Sequence, residues 1–192
     1  PHIAYRVDNP NTLKYAYLQV TDWIYEVPQN AEDTGEYIDL TLDSMDRAFI
    51  SHFSFVQEKL LMTYRPGGGA LDTVPVSSPT IGVNTSIDLQ ATEDPTITYY
   101  NYDSDYVRCA RGNGGGWVFY NVAAISDNSF TDLKIDSQQM MHVIYNDGAN
   151  QIMYYSAGDG ATWTQHIIDT QSQVPSGAIE LDSNGNPHIV YM

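Results

Sequence analysis

A short motif recurs along the whole chain at a nearly fixed interval. The chain opens with Pro1-His2-Ile3-Ala4-Tyr5 and closes with Pro187-His188-Ile189-Val190-Tyr191. Three weaker copies lie between them, centred on Ile50, Ile97 and Val143, so the central residue recurs every 46 or 47 residues. A fixed period of this length is typical of solenoids, propellers and related arrays.

The repeat predicts a single domain over residues 1–192, because each unit is too small to bury both of its faces and must stack on its neighbours. The predicted units are 3–49, 50–96, 97–142, 143–188 and the start of a further unit at 189–192.

Within each unit, apolar and aromatic residues alternate with a period of two, which predicts strands rather than helices. Two residues after the central position stand Tyr5, His52, Tyr99, Tyr145 and Tyr191. Twenty residues after it stand Trp23, Ala70, Trp117 and Trp163. Turn-forming residues separate the apolar runs, as at 8–11, 65–69, 147–150 and 182–187.

Four short strands in 46 or 47 residues match the blade of a β-propeller. The sequence therefore predicts an all-β fold, a propeller or propeller segment of four-stranded antiparallel blades. The motif of the second strand is present at both ends of the sequence. This favours a piece of a longer propeller, or one that self-associates through open strand edges, over a four-bladed ring with a redundant edge strand.

The charge and composition exclude some partners. The chain has 24 acidic and 8 basic residues, for a formal charge of −16, and such a surface repels phosphate backbones. We therefore expect no nucleic-acid partner. No apolar run approaches the length of a membrane span, so no membrane insertion is expected. Cys109 is the only cysteine, which excludes an intrachain disulfide.

The repeats resemble a known family. Residues 181–191 and 13–17, with Trp23, are similar to the sialidase-like, bacterial-neuraminidase-repeat propellers of secreted bacterial or archaeal proteins. Residues 156–163 resemble the "Asp box" of that superfamily, although Gly158 stands where its Asp belongs and Asp159 is one place late. The resemblance implies a propeller fold and a secreted or cell-surface location.

The resemblance does not supply an active site. Sialidases need an arginine cluster for the substrate carboxylate, a Tyr–Glu nucleophile pair and an Asp that acts as acid and base, whereas the five arginines here form no matching motif. No catalytic residue is assigned. For glycoside hydrolysis in general, two carboxylates must face each other. The candidates, which sequence cannot pair, are Asp39, Glu58, Asp105 and Glu180.

A patch in the third unit is the candidate ligand site. It combines aromatic and acidic residues between the second and third predicted strands, as neutral-sugar sites do: Tyr100, Tyr102, Asp103, Asp105 and Tyr106. The three Trp residues are alternative sugar platforms, since aromatic faces bind pyranose rings. Their strict repeat offset favours a role between neighbouring sheets instead.

No metal site is assigned. His2, His142 and His188 share one repeat position, but equivalent positions of different blades lie around a ring and do not converge on one ion. Asp43, Asp136 and Asp182 recur at a turn. Calcium is a weaker alternative there, because such side chains also cap their own turns.

These observations lead to three hypotheses for the function. The first is a non-catalytic extracellular recognition module for carbohydrate or a cell-surface partner. The second is the scaffold of a sialidase-like glycosidase or a polysaccharide lyase. The third is a self-assembling structural subunit of a surface.

Overall fold

The fold consists of β-strands joined by turns. A computed structural model describes residues 1–8, 11–28, 33–66, 69–76, 82–113, 116–127, 130–170 and 176–192, which form no α-helix. The strands are β1 (His2–Asp8), β2 (Asn11–Gln19), β3 (Asp22–Glu26), β4 (Glu36–Leu42), β5 (Ala48–Ser54), β6 (Lys59–Tyr64), β7 (Asp72–Pro75), β8 (Gly82–Leu89), β9 (Pro95–Asn101), β10 (Tyr106–Gly112), β11 (Trp117–Ala124), β12 (Thr131–Ile135), β13 (Met141–Asp147), β14 (Ile152–Gly158), β15 (Trp163–Asp169), β16 (Gly177–Leu181) and β17 (Pro187–Tyr191).

The strands form five antiparallel sheets in chain order. The first sheet contains β1–β3, the second β4–β7, the third β8–β11, the fourth β12–β15 and the fifth β16–β17. The all-β class and the four-stranded antiparallel sheets are thereby confirmed. The first and fifth sheets, which a closed four-bladed ring would merge, are separate sheets.

The repeat offset of twenty residues, which places Ala70 at the tryptophan position of the second unit, is wrong by one residue. In the third sheet Arg111 pairs with Val118, but its equivalent in the second sheet, Tyr64, pairs with Asp72, one residue later than the repeat offset requires. The loop between β6 and β7 is therefore one residue longer. Leu71, rather than the predicted Ala70, is the buried residue at the tryptophan position of the second sheet.

Aspartates on the first strand of one sheet hold the first strand of the next. Oδ2 of Asp39, Asp88 and Asp132 accepts a hydrogen bond of 2.8 Å from the backbone N–H of Ile87, Ile135 and Ile179, respectively. Burial raises the pKa of Asp88 and of Asp132. These bonds fix β4, β8, β12 and β16 side by side, so the sheets follow one another as a stack.

The core lies between neighbouring sheets. The central repeat residues Ile50, Ile97 and Val143 are fully buried in successive clusters. Ile3, in the first sheet, is 47% exposed because it has a neighbouring sheet on one side only. Burying one such side chain stabilises the fold by about 1.5–3 kcal/mol, which explains why the repeat preserves this position.

Within the described residues, the structure contains no helix of the length and apolar character needed to cross a membrane.

Candidate functional site

A groove of about 500 Å³ opens between the second and third sheets. It lies at the end of the sheets where β5 and β9 begin and where β6 and β10 end. Side chains from both sheets line it, including Phe49, Met62, Tyr64 and Val74 from the second and Pro95 and Trp117 from the third. The volume falls within the range of small-molecule sites, about 300–1,000 Å³.

Aromatic rings form one wall of the groove. Phe49 on β5 and Tyr64 on β6 are direct cross-strand partners, and their rings stack with centroids 6.0 Å apart and an interplanar angle of 17°. Trp117, the first residue of β11, lines the same groove and packs against the cluster formed by Met62 and its neighbours. All three rings are only half-buried, so part of each remains available to a ligand.

Two arginines stand at the rim, and both are already paired. Arg65 donates two hydrogen bonds to the carboxylate of Glu26, at 2.7 and 2.8 Å, and a third to the carbonyl oxygen of Gly69. Arg47 contacts Asp43 through Nε and Glu93 through Nη2, at 2.5 and 3.7 Å. The rim therefore offers polar groups whose charges are balanced within the protein.

Asp43 holds the Arg47 side of this rim through several hydrogen bonds. Burial opposes ionisation of its carboxyl group, but hydrogen bonds from the backbone and side chain of Arg47 and from the backbone of Met45 hold its pKa below the usual value. The carboxylate thus caps its own turn and orients Arg47 toward the groove.

The predicted ligand patch lies at the opposite end of the sheets, in the turn between β9 and β10. Tyr102, Asp103 and Asp105 are exposed there, and the side chain of Asn101 caps the turn through the backbone N–H groups of Asp103 and Ser104. The groove and this patch are therefore two separate regions.

The two remaining tyrosines of the patch differ from these turn residues. Tyr100 is buried in the core, and its hydroxyl donates a 2.9 Å hydrogen bond to Asp105. Burial and this bond raise the pKa of Tyr100. Tyr106 is half-buried as the first residue of β10. Ligand binding at this patch stays a prediction.

The repeat aromatics occupy different environments. Tyr99 and Tyr145 are fully buried, Tyr5 is half-buried, and Tyr191 is 38% exposed. Trp117 and Trp163 each pack against the core shared with the preceding sheet. Trp23 is 38% exposed, in the first sheet.

The histidines of the repeat bond to tyrosine and to turn aspartates. His142 bonds through Nδ1 to the Tyr155 hydroxyl, at 2.7 Å, and through Nε2 to Asp136, at 3.4 Å. His2 makes the equivalent bond to the Tyr15 hydroxyl. Across the described ranges, no group of three or more His, Cys, Asp or Glu side chains is arranged to hold a metal ion.

The recurring turn aspartates cap their own turns, as Asp43 does. Asp136 Oδ1 accepts hydrogen bonds from the backbone N–H groups of Gln138 and Met140. In the turn at residues 156–163, Asp159 Oδ1 accepts hydrogen bonds from the backbone N–H groups of Ala161 and Thr162. The carboxylate one place late thus still folds the turn between β14 and β15.

The four carboxylates considered for hydrolysis lie on separate elements. Asp39 uses both oxygens in hydrogen bonds to Leu40, Ser86 and Ile87. Glu180 on β16 forms a 2.9 Å ion pair with Lys134. The other two lie in equivalent turns of the second and third sheets: Glu58 and Asp105.

Cys109 is fully buried. Burial raises the pKa of its thiol to about 12, so the thiol stays protonated and packs as a small apolar group.

Among the groove aromatics, the sequence indicated Trp117 as an alternative sugar platform, but the composition of the loops gave no indication of Phe49 and Tyr64. The informative signal lay in strands, where the second unit departs from the repeat. Phe49 is such a departure, because it stands at the position of His2 and His142, whereas Tyr64 shares its position with Tyr17 and differs from Arg111 and Ala157. Departures from a repeat mark the residues that the common core does not require.

Comparison with known proteins gives a structural likeness only. No protein-family model and no curated protein matches the sequence. A protein of unknown function from Dyadobacter fermentans is similar with a TM-score of 0.68 and 9% identity, over 94% of this chain and 64% of its own. This chain thus spans less than two thirds of that protein.

Two solved structures from Bacteroides thetaiotaomicron are also similar. An endo-arabinase matches with a TM-score of 0.57 and 11% identity, over 99% of this chain and 83% of its own. An endo-1,4-beta-xylanase matches with a TM-score of 0.54 and 10% identity, over 98% and 82%. At these identities the likeness concerns the fold.

Proposed function

We propose that this protein is a non-catalytic extracellular recognition module that binds neutral carbohydrate in the groove between the second and third sheets. The observation that carries the proposal is the half-buried set of Phe49, Tyr64 and Trp117 in a groove of about 500 Å³. Aromatic faces offer apolar contact area to the C–H faces of a sugar ring, while the polar rim offers hydrogen bonds to its hydroxyl groups.

The electrostatics favour an uncharged sugar over an acidic one. Recognition of a carboxylate or sulfate uses arginines whose donors are free to bind it, whereas Arg65 and Arg47 are both paired with carboxylates. The formal charge of −16 adds a long-range repulsion against polyanions. Sialic acid and uronic acid polymers are therefore poor candidate ligands.

Binding is favoured over hydrolysis by the arrangement of the carboxylates in the groove. A glycosidase needs two carboxyl groups on opposite sides of the scissile bond. Glu93 and Asp94 are neighbours in one turn, and Glu93 is engaged by Arg47 and by the backbone N–H of Ser44.

We also propose that the sheets are blades of a β-propeller or of a propeller segment. The support is the repeated four-stranded sheet and the chain of aspartate hydrogen bonds that sets successive first strands side by side. The resemblance of the repeats to secreted propellers supports a location outside the cell. The names of the two Bacteroides structures, an endo-1,4-beta-xylanase and an endo-arabinase, suggest suitable probes.

A matched pair of tryptophan variants tests the site. Trp117 and Trp163 occupy the same repeat position, but only Trp117 lines the groove. Binding would be measured by isothermal titration calorimetry with neutral xylo-, arabino-, manno- and gluco-oligosaccharides. We expect Trp117→Leu to weaken binding about tenfold, which is about 1.4 kcal/mol, and Trp163→Leu to change it little.

The same titrations decide between the groove and the predicted patch in the turn between β9 and β10. Equal effects of the two tryptophan variants would contradict binding in the groove. Loss of binding in Tyr102→Ala, with Trp117→Leu unaffected, would move the site to the turn between β9 and β10. Release of shorter sugars during incubation would show that the protein is an enzyme.

A further inference from the structure

A second, smaller groove lies at the same end of the molecule, between the first and second sheets. Its volume is about 170 Å³, and His2, Tyr15, Tyr17 and Leu71 line it. The Tyr17 ring stacks on Tyr15, with centroids 5.6 Å apart, and on His2, with centroids 6.1 Å apart. The second groove therefore repeats the aromatic character of the first.

Within this aromatic group, Tyr15 and Tyr17 have different exposure. Tyr15 is buried, and its hydroxyl is bonded to the His2 ring. Burial and the nearby carboxylate of Glu26 raise the pKa of Tyr15 to about 12, so it stays a neutral phenol. Tyr17 is half-buried and leaves part of its ring free. Tyr15 thus forms the base of the second groove, and Tyr17 presents the free part of its ring to it.

The two grooves share one wall. Arg47 and Arg65 line both of them. Glu26 and Gly69 fix the guanidinium of Arg65, and Asp43 fixes that of Arg47. The wall between the two aromatic surfaces is therefore held in place by bonds within the protein.

The sizes of the two grooves indicate how they work together. A volume of about 170 Å³ is smaller than that of an independent small-molecule site, whose lower limit is about 300 Å³. Sheets packed face to face stand about 10 Å apart, so equivalent grooves at successive interfaces are separated by more than one sugar ring. A monosaccharide cannot reach both, but an oligosaccharide can.

Resting on the function proposed above, we infer that the two grooves form one extended site for a neutral oligosaccharide. Part of the chain of sugars occupies the larger groove, beside Tyr64 and Trp117. The oligosaccharide then crosses the Arg47–Arg65 wall, and a further sugar stacks on Tyr17. The ligand is thus an internal stretch of a polysaccharide or a long oligosaccharide, rather than a single terminal sugar.

The test measures affinity against ligand length. The purified protein would be titrated with xylo-, arabino-, manno- and gluco-oligosaccharide ladders, from the monosaccharide to the hexasaccharide. For the ladder that binds, we expect the affinity to rise about tenfold beyond the length that fills the larger groove. In Tyr17→Leu we expect the affinity for the longest ligands to fall about tenfold, and that for the shortest ligands to fall much less.

Two variants control for indirect effects. Tyr17→Phe keeps the ring and should retain the gain with length. Tyr25→Ala removes a tyrosine that is 66% exposed on β3 and lines neither groove, so it should behave as the unmodified protein. Thermal unfolding of all variants would show whether Tyr17→Leu remains folded. If Tyr17→Leu does not remain folded, the dependence of affinity on ligand length in the unmodified protein and in Tyr17→Phe still tests the extended site.

The outcomes separate this inference from the proposed function. Binding with an affinity that is independent of length would overturn the extended site and leave the larger groove in place. A uniform loss at every length in Tyr17→Leu would also overturn it. The absence of binding to every ladder would contradict the proposed function itself.

Discussion

The interface between the second and third sheets and the interface between the third and fourth use the same repeat, but the groove of about 500 Å³ found among the described residues lies at the first of them. At the first interface, the second sheet presents Phe49, Met62 and Tyr64. At the equivalent positions the third sheet presents Thr96, Cys109 and Arg111 to the fourth. Three large groups in one interface are matched by two small residues and one arginine in the other.

Arg111 accounts for much of this difference. Its Nε donates to the Gln90 side chain, at 2.7 Å, and its Nη1 donates to the carbonyl oxygen of Asp159 in the fourth sheet, at 3.2 Å. The arginine thus ties the two sheets together where Tyr64 leaves its ring partly free. A shared core supports both interfaces, and the substituted positions decide which of them can hold a ligand.

The largest expected effect comes from a pair of glycines, each opposite the tryptophan of its sheet. An added Cβ at Gly158 would overlap the carbonyl oxygen of Thr162 and lie 2.7 Å from the Trp163 ring. At Gly112 the nearest atom is the carbonyl oxygen of Pro95, at 3.0 Å. We expect Gly158→Ala to lower the free energy of unfolding by about 3 kcal/mol and Gly112→Ala by about 1 kcal/mol.

Urea denaturation of the two glycine variants would measure this difference. Equal losses of stability would show that the backbone and tryptophan of the fourth sheet lie no closer to Gly158 than the neighbouring strand of the third sheet lies to Gly112.

The next effect concerns pH and the second sheet, where His52 replaces the repeat tyrosine. Its side chain is fully buried, bonded through Nε2 to Thr63, and burial lowers its pKa to about 3. The unfolded state therefore binds a proton below about pH 6.5, while the folded state does not. The resulting stability is complete above pH 6.5 and is lost as the pH falls toward 3.

Between pH 7 and pH 5 this histidine should reduce the free energy of unfolding by about 2 kcal/mol. His52→Leu should remove most of that dependence, because it removes the titrating imidazole. The partner left behind, Thr63, keeps its hydrogen bond to Thr73. Denaturant titrations of both proteins at the two pH values provide the measurement. A variant with the same pH dependence as the original would show that other groups are responsible.

The smallest expected effect tests the bridge between the third and fourth sheets. Arg111→Ala removes the hydrogen bonds to Gln90 and Asp159 and should cost about 1 kcal/mol, or about 2–4 °C in the unfolding temperature of a chain of this size. Differential scanning calorimetry would measure it. Binding of sugar in the groove should be unaffected, and a parallel loss of binding would indicate that the two interfaces are coupled.

The repeat was enough to predict the strands and the buried central residues. Ile50, Ile97 and Val143 are buried because each sheet packs an apolar side chain at this position against its neighbour. A periodic sequence shows such a position directly. The register of the second sheet could not be predicted in the same way. A single extra residue after β6 shifts Leu71 into the tryptophan position, and only the strand pairing reveals it.

The candidate site was harder to predict for a physical reason. Tyr102 and Asp105 were predicted as ligand residues because they depart from the repeat within one loop. The groove residues Phe49, Tyr64 and Trp117 lie far apart in sequence, and two of them resemble ordinary strand residues. Their meeting in one groove depends on how two sheets stack, which local patterns do not encode.

The sequence by itself determined the all-β class, the period of the sheets and the residues of their common core, because these follow from alternation and repetition along the chain. The tertiary structure alone decided where the core stays open. The width of a groove between two sheets is set by side chains from both of them, and by the pairing of Arg47 and Arg65 with carboxylates distant in sequence. Those contacts exist only once the sheets are packed together.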